Sequence, residues 1–187
     1  MKNPFIVGDK VYLRAVEPED AVLLMRCNNQ PEVQTTFFIA FPTNIYRQQQ
    51  DIQHLYDRQD YIPFVICARE KDKPVGITAF HRLDLVSRAA VFSIRIADEA
   101  VWGKGYGSEV TKLMVEYGFE KLNLNRIHLH VFTGNARGIK AYEKAGFVRE
   151  GTLRQAMYHN DEYCDFLVMS ILRKEYYEQK KKNSNKG

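Results

Sequence analysis

The stretch Trp102-Gly103-Lys104-Gly105-Tyr106-Gly107-Ser108 stands between an apolar run and an amphipathic segment. The run before it, residues 89–97, predicts a buried strand because its apolar residues are bounded by polar ones. After it, apolar residues recur at the spacing of a helix face, at Val110, Leu113, Met114 and Tyr117. The glycines are therefore predicted to lie at the N-terminus of a helix.

This junction is suited to binding an anion. Three glycines in five residues let the backbone curl around a ligand, and the N–H groups and dipole of a helix N-terminus favour negative charge. Lys104 adds a positive charge beside them. A glycine-rich turn that only joins a strand to a helix is the alternative at this point.

The spacing argues against two common phosphate-binding loops. In a dinucleotide-binding loop the third glycine would stand where this chain has Ser108, and no carboxylate follows at the expected distance. In a nucleoside-triphosphate loop a Ser or Thr would follow the lysine, whereas Gly105 follows Lys104. The dinucleotide interpretation is therefore weakened, and the nucleoside-triphosphate interpretation fails.

A second motif follows one strand later, at residues 135–147. Residues 126–132 alternate in the manner of a strand, and the chain then turns at Thr133-Gly134-Asn135. A short helix should follow and end near Gly146, since glycine is favoured just past a helix C-terminus. Two motifs in this order constrain the function together.

Together the motifs resemble the GNAT superfamily of acetyl-CoA-dependent N-acyltransferases, and within it the branch of ribosomal-protein N-terminal and spermidine acetyltransferases. The family's cofactor loop reads Gln/Arg-x-x-Gly-x-Gly/Ala, which residues 102–107 match except that Trp102 replaces the first residue. The branch's pattern Asn-x-x-Ser/Gly-x-x-x-Tyr-x-Lys-x-Gly-Phe falls on Asn135, Gly138, Tyr142, Lys144, Gly146 and Phe147. The resemblance extends from about Val11 to about Leu172.

The resemblance implies an α/β (α+β) fold with a single N-acetyltransferase domain over residues 1–175. Its mixed, mostly antiparallel sheet should contain about seven strands flanked by about four helices. The fourth and fifth strands, residues 89–97 and 126–132, should splay apart. Residues 28–41 are expected to be irregular, and residues 176–187 to form a basic, flexible C-terminal tail.

The family's cofactor site carries over onto named positions of this chain. Backbone amides of the loop would hold the diphosphate of coenzyme A, at Trp102, Gly103, Lys104, Gly105, Tyr106, Gly107 and Ser108. The preceding strand would pair its peptide groups with the amide-rich arm of the cofactor, at Ile94, Arg95 and Ile96. Asn135 would hydrogen-bond the arm from the opposite side.

Acetyl transfer to an amine requires a neutral amine, a polarised thioester carbonyl and a proton for the departing thiolate. By resemblance, Tyr142 is the catalytic residue that supplies the proton, and a core tyrosine with a satisfied hydroxyl is the alternative. A backbone N–H near Ile96 could polarise the carbonyl. These assignments leave the base to be found.

Many relatives place a carboxylate on the strand before the cofactor loop, whereas residues 89–97 contain no acid. Ser93 could hold a water that accepts the proton, and His130 and Asp84 are further candidates. No base is assigned. The amine could also arrive already deprotonated, so the missing acid does not exclude catalysis.

The sequence therefore predicts a transferase that moves an acetyl group from acetyl-CoA, its co-substrate, to a primary amine by direct attack in a ternary complex. The acceptor would be a small-molecule amine such as a polyamine, or a protein N-terminus. Carboxylates that could bind a polyamine share their region with Arg47 and Arg58, so the polyamine stays open. A non-catalytic acyl-CoA-binding or regulatory module is the alternative function.

The composition of the chain limits which binding partners and which cellular location are expected. The net charge of +4 owes much to lysines at the C-terminus that no aromatic residues interleave, so no direct nucleic-acid partner is expected. Cys27, Cys67 and Cys164 lack metal-ligand spacing and are predicted to be buried thiols in a reducing compartment, with no metal. No apolar run is long enough to cross a bilayer, so a cytoplasmic protein without a membrane partner is expected. The resemblance allows a homodimer.

Overall fold

The computed structural model describes residues 1–97 and 99–184. Its strands are β1 (Ile6–Val7), β2 (Val11–Arg14), β3 (Ile62–Ala68), β4 (Lys73–Asp84), β5 (Ala89–Ile96), β6 (Arg126–Phe132), β7 (Val148–His159) and β8 (Glu162–Leu172). Its helices are α1 (Ala21–Asn29), α2 (Pro31–Phe37), α3 (Ile45–Gln53), α4 (Tyr106–Glu120), α5 (Ala136–Lys144) and α6 (Arg173–Ser184). Short 3₁₀ turns lie at 18–20, 55–57 and 99–101.

The strands form one sheet in the order β1-β2-β3-β4-β5-β6-β8-β7. Neighbouring strands are antiparallel except β5 and β6, which are parallel because α4 crosses between them. Their pairing covers only residues 89–91 against 126–128, although β5 continues to Ile96 and β6 to Phe132. The predicted mixed, mostly antiparallel sheet and the predicted splay are confirmed.

Two apolar layers cover the two faces of the sheet. On one face α4 packs its buried side chains on the strands, with Val110, Met114 and Phe119 against Phe80, Phe92, Ile127 and Leu129. On the other face α1 and α3 pack Leu23, Leu24 and Ile52 near Val65, Cys67 and Ile77. Because side chains alternate along a strand, Ile94 and Ile96 belong to the α4 face. Arg95, which is paired with Ile77, faces α1 and α3.

The described residues contain one strand and two helices more than the predicted numbers. The extra strand is β1, which pairs with β2 through Ile6 and Leu13. The prediction that residues 28–41 are irregular is wrong, because α2 lies within them. Pro31 occupies the first position of α2 and Phe38, with φ of 50°, ends it. Proline at a helix start is a recognised signal that the sequence interpretation did not use.

The C-terminal segment is helical through Ser184, which differs from the tail predicted from residue 176. Tyr176 explains the difference, since its ring lies 5.1 Å from the ring of Phe119 and its hydroxyl donates to Glu120 Oε1 at 2.6 Å. Lys180 pairs with the same carboxylate. Lys186 lies outside the described residues. The tyrosine anchors the start of α6 to α4, a contact between distant residues that the lysine content of this segment does not indicate.

The three cysteines are free thiols. Cys27 and Cys67 are buried as predicted, and burial raises the pKa of the Cys27 thiol to about 11. Cys164 on β8 is half-buried, so that part of the prediction is wrong. Among the described residues, no three His, Cys, Asp or Glu side chains are grouped to hold a metal ion. None of the described helices has the length and apolar character needed to cross a membrane.

Candidate active site

The start of α4 presents unpaired backbone donors. Gly103 and Gly105 have φ of 77° and 87°, a region that glycine adopts at little cost. The first backbone hydrogen bond of the helix runs from the Glu109 N–H to the Gly105 carbonyl at 3.1 Å. The N–H groups of the first turn, residues 106–108, therefore have no acceptor within the helix. This is the geometry that binds phosphate groups at a helix N-terminus.

A cavity of about 320 Å³ opens at this helix start, between the end of β5 and α5. It is lined by all but one of the residues predicted for the site, namely Ile94, Arg95, Ile96, Trp102, Gly103, Gly105, Tyr106, Gly107, Ser108, Asn135 and Tyr142. We call it the first cavity. The two sequence motifs thus meet in one space.

Lys104 is the predicted residue that does not line the first cavity. Its Nζ lies 3.9 Å from Glu70 Oε1, and its carbonyl oxygen accepts a hydrogen bond from Lys10 Nζ at 3.0 Å. The positive charge expected beside the glycines is therefore directed towards Glu70. The sequence could not reveal this pairing, since Glu70 lies in the distant β3–β4 turn.

The edge of β5 is open where it faces the first cavity, because pairing with β6 stops at Val91. Trp102 closes the end of this edge, since its indole Nε1 donates to the Ile96 carbonyl at 3.0 Å. The stretch around Ile94 and Arg95 remains open. An extended ligand with amide groups could pair with this edge as an added strand.

Basic side chains of α5 supply the charge that Lys104 does not. Arg137, Lys140 and Lys144 all line the first cavity. The guanidinium carbon of Arg137 lies 4.0 Å from the centroid of the Trp102 ring, which is a cation–π contact. The sequence interpretation missed Arg137 and Lys140, although their spacing with Lys144 is that of one helix face. An anion at the start of α4 would lie close to these cations.

Asn135 caps α5 and lines the first cavity. Its side-chain Oδ1 accepts the Gly138 N–H at 2.9 Å. A Cβ at position 138 would lie 2.7 Å from Asn135 Nδ2, so glycine makes room for this conformation. Since Oδ1 is taken by the cap, Nδ2 is the atom that can donate to a ligand.

Tyr142 on α5 is half-buried at the wall of the first cavity. Its ring packs edge-on against Phe92 and tilted against Phe147, with centroids 6.2 and 5.9 Å away. Burial raises the pKa of its phenol to about 12. The hydroxyl is therefore protonated at neutral pH and can act as a proton donor.

The three candidates for the base, Ser93, Asp84 and His130, lie in different surroundings. Ser93 Oγ lies 2.6 Å from Nε2 of His81, a β4 residue that the sequence interpretation missed. Burial lowers the pKa of His81 to about 4, helped by the charges of Arg95 and Arg58, so the imidazole is neutral at neutral pH. Asp84 accepts N–H groups of its own turn, and neither it nor His130 lines the first cavity.

A second cavity, of about 570 Å³, lies between α1, α3 and the β4–β5 part of the sheet. Its floor is apolar, with Leu24, Leu55 and Ile77, and its rim carries Arg47, Asp51 and Arg58. Arg95 lines both cavities. The second cavity therefore adjoins the first through one side chain.

Comparison with known proteins agrees with this geometry. Residues 10–148, more than half of the chain, match the family model described as an acetyltransferase (GNAT) domain. The uncharacterized N-acetyltransferase YoaA of Bacillus subtilis is 33% identical over 173 residues, 91% of this chain and 97% of that protein. The spermidine N(1)-acetyltransferase of Escherichia coli K12 is 31% identical over 168 residues, 89% of this chain and 88% of that protein.

A solved structure extends the similarity to three dimensions. The crystal structure of spermidine N-acetyltransferase from Vibrio cholerae in complex with CoA and spermine matches with a TM-score of 0.83 at 27% identity. The match covers 91% of this chain and 99% of that one.

The chain belongs to the GNAT family of acetyltransferases. It is an acyltransferase with acetyl-CoA as its co-substrate. The comparisons confirm the family and the branch that the two motifs predicted.

Proposed function

We propose that this enzyme transfers the acetyl group of acetyl-CoA to a primary amine by direct attack, with both substrates bound together. The observation that carries the proposal is the first cavity, where the free N–H groups of α4, the open edge of β5 and the hydroxyl-bearing Tyr142 meet. One ligand with a diphosphate, an amide-rich arm and a thioester would use all three.

Different residues of the first cavity would bind different parts of acetyl-CoA. The N–H groups of residues 106–108, with Arg137 nearby, would hold the diphosphate. The β5 stretch around Ile94 and Arg95 would pair with the arm, and Asn135 Nδ2 would donate to it from α5. This division would bring the thioester near Tyr142.

The transfer itself needs few groups. The amine nitrogen attacks the thioester carbonyl carbon and forms a C–N bond, and the C–S bond breaks as the intermediate collapses. Tyr142 donates its phenolic proton to the departing sulfur. The nitrogen loses one proton through water and the phenolate regains one, so the products are an N-acetyl amine and a free thiol.

The acceptor is proposed to be a small-molecule amine or a protein N-terminus. The relatives from Escherichia coli and Vibrio cholerae are named as spermidine acetyltransferases, which supports a small amine.

A cytoplasmic location fits three free thiols. A homodimer is included in the proposal because the resemblance to the GNAT family allows one.

Thiol release from acetyl-CoA tests the proposal across polyamines, aminoglycosides, amino acids and peptides with free N-termini. We expect release that depends on the amine and an N-acetylated product of the matching mass. Tight binding of CoA with no amine-dependent release from the panel would favour the non-catalytic acyl-CoA-binding module. The missing β5 carboxylate is the one feature that favours that alternative.

A further inference from the structure

The second cavity lies on the face of the sheet opposite α4. The register of β4 and β5 pairs Ile77 with Arg95 and Ala79 with Ser93, so these side chains point towards α1 and α3. The cavity has room for a small molecule at about 570 Å³. Leu24, Leu55 and Ile77 give it an apolar floor on which an aliphatic chain could lie.

Arg95 connects this space to the cofactor site. Its guanidinium carbon lies 5.3 Å from the ring centroid of Phe37, which lines the first cavity. Its Nη1 donates to Oδ1 of Asn28, which lines the second. A molecule in the second cavity that contacts Arg95 would therefore extend towards the arm of the cofactor.

Within the described part of the chain, three arginines but one carboxylate, Asp51, line the second cavity, and the lining residue His54 has Asp57 as its partner. Arg47 pairs with Asp51 at 3.1 Å, and Arg58 pairs with Asp60 at 3.1 Å. Arg95 has an amide and an aromatic ring as its partners, and among residues 1–97 and 99–184 no carboxylate pairs with it. A half-buried guanidinium with a neutral partner is a ready site for a carboxylate or phosphate.

The neighbouring His81 is affected by the positive charge of Arg95. The pKa of His81 is lowered first by burial and then by the charges of Arg95 and Arg58, which outweigh the opposite effect of Asp60. An ammonium group bound in this cavity would feel the same repulsion.

We propose that the second cavity receives the acceptor, and that Arg95 selects a primary amine which also carries an anionic group. The proposal rests on the acetyl transfer proposed above and names its substrate class. A polyamine would bring several ammonium groups against a guanidinium that has no carboxylate partner within the described residues, whereas a carboxylate or phosphate on the acceptor would pair with it. The amine of the same molecule would then point to the thioester.

Matched pairs of amines test this selection. We would compare γ-aminobutyrate with putrescine, glycylglycine with glycylglycinamide, and glucosamine 6-phosphate with glucosamine. Affinity is measured by calorimetry in the presence of CoA, which lacks the acetyl group, so the result does not depend on turnover. We expect the anionic member of at least one pair to bind about tenfold more tightly or better, since opposite charges attract at this distance. The pair that responds tells carboxylate from phosphate.

Variants at position 95 identify the residue responsible. Arg95→Gln should abolish the preference, and Arg95→Lys should keep part of it because the charge remains. Arg154→Gln on exposed β7 is the matched control and should keep the whole preference.

Two results would overturn the selection of anionic amines: no anionic member binds better than its partner, or Arg95→Gln keeps the preference. Failure of the acetyl transfer looks different. In that case CoA binds, the anionic amines bind, and no thiol is released from acetyl-CoA.

Discussion

The guanidinium of Arg137 stacks on the indole of Trp102 in the wall of the first cavity, with 4.0 Å between the guanidinium carbon and the ring centroid. Trp102 is itself fixed by its hydrogen bond to the Ile96 carbonyl. The end of β5, the glycine loop and the start of α5 are thereby joined. This stack holds a cation near the free N–H groups of α4.

Replacing Arg137 should weaken the binding of CoA. Arg137→Gln removes a positive charge that faces the proposed diphosphate, and we expect a loss in affinity of about tenfold at low salt that shrinks as salt is added. Calorimetric titration with CoA at two salt concentrations measures it. Lys112→Gln removes an exposed charge of α4 that does not line the cavity, and equal losses in both variants would argue against a local role for Arg137.

Tyr142→Phe should slow acetyl transfer and leave the affinity for acetyl-CoA nearly unchanged. The phenylalanine ring keeps the packing on Phe92 and Phe147 but cannot donate a proton to sulfur. Loss of a general acid costs about a hundredfold in rate, which a thiol-release assay resolves. Tyr117→Phe on α4 is the control, because that tyrosine packs in the core and does not line the cavity. A rate equal to that of the wild type would remove Tyr142 from the mechanism.

His81 should make the fold sensitive to mild acid. A histidine in an unfolded chain takes up its proton near pH 6.5, whereas the pKa of folded His81 is about 4. Between these values the unfolded chain binds more protons, so the free energy of unfolding falls as the pH falls, by at most about 3 kcal/mol from this residue.

Urea unfolding of the wild type and of His81→Gln from pH 7 to pH 4.5 measures this dependence. The variant should lose less stability over the range than the wild type does. Parallel curves for the wild type and His81→Gln would contradict the assignment.

Local signals in the sequence were enough to predict the backbone of the site. The positive φ angles at Gly103, Gly105 and Gly146 fall on glycines of the two motifs, which predicted the loop before α4 and the end of α5. The α2 helix was missed although Pro31 marks its start, because Thr35, Thr36 and Phe37 have low helix propensity.

Contacts between distant elements were beyond the sequence. Arg137 meets Trp102 only because α5 packs beside the glycine loop, and His81 meets Ser93 only through the register of β4 and β5. The second cavity depends likewise on how α1 and α3 cover the sheet. The pattern and spacing of residues along one sequence do not determine which distant residues come into contact.

Binding of acetyl-CoA to Gly105→Val tests the central claim that the start of α4 holds the cofactor. Gly105 has φ of 87°, a conformation that costs a β-branched residue about 1–2 kcal/mol, and a Cβ there would lie 3.4 Å from Lys10 Nζ, so the substitution should distort the backbone at the start of α4. Gly151→Val on exposed β7 is the control, since nothing lies within 4 Å of a Cβ there. The thermal unfolding of both variants shows whether they fold.

Calorimetric titration of the folded Gly105→Val protein with acetyl-CoA should give no measurable binding, while the Gly151→Val protein binds as the wild type does. Wild-type affinity in Gly105→Val would contradict the account, because the cofactor would then be held somewhere other than at the backbone of the glycine loop.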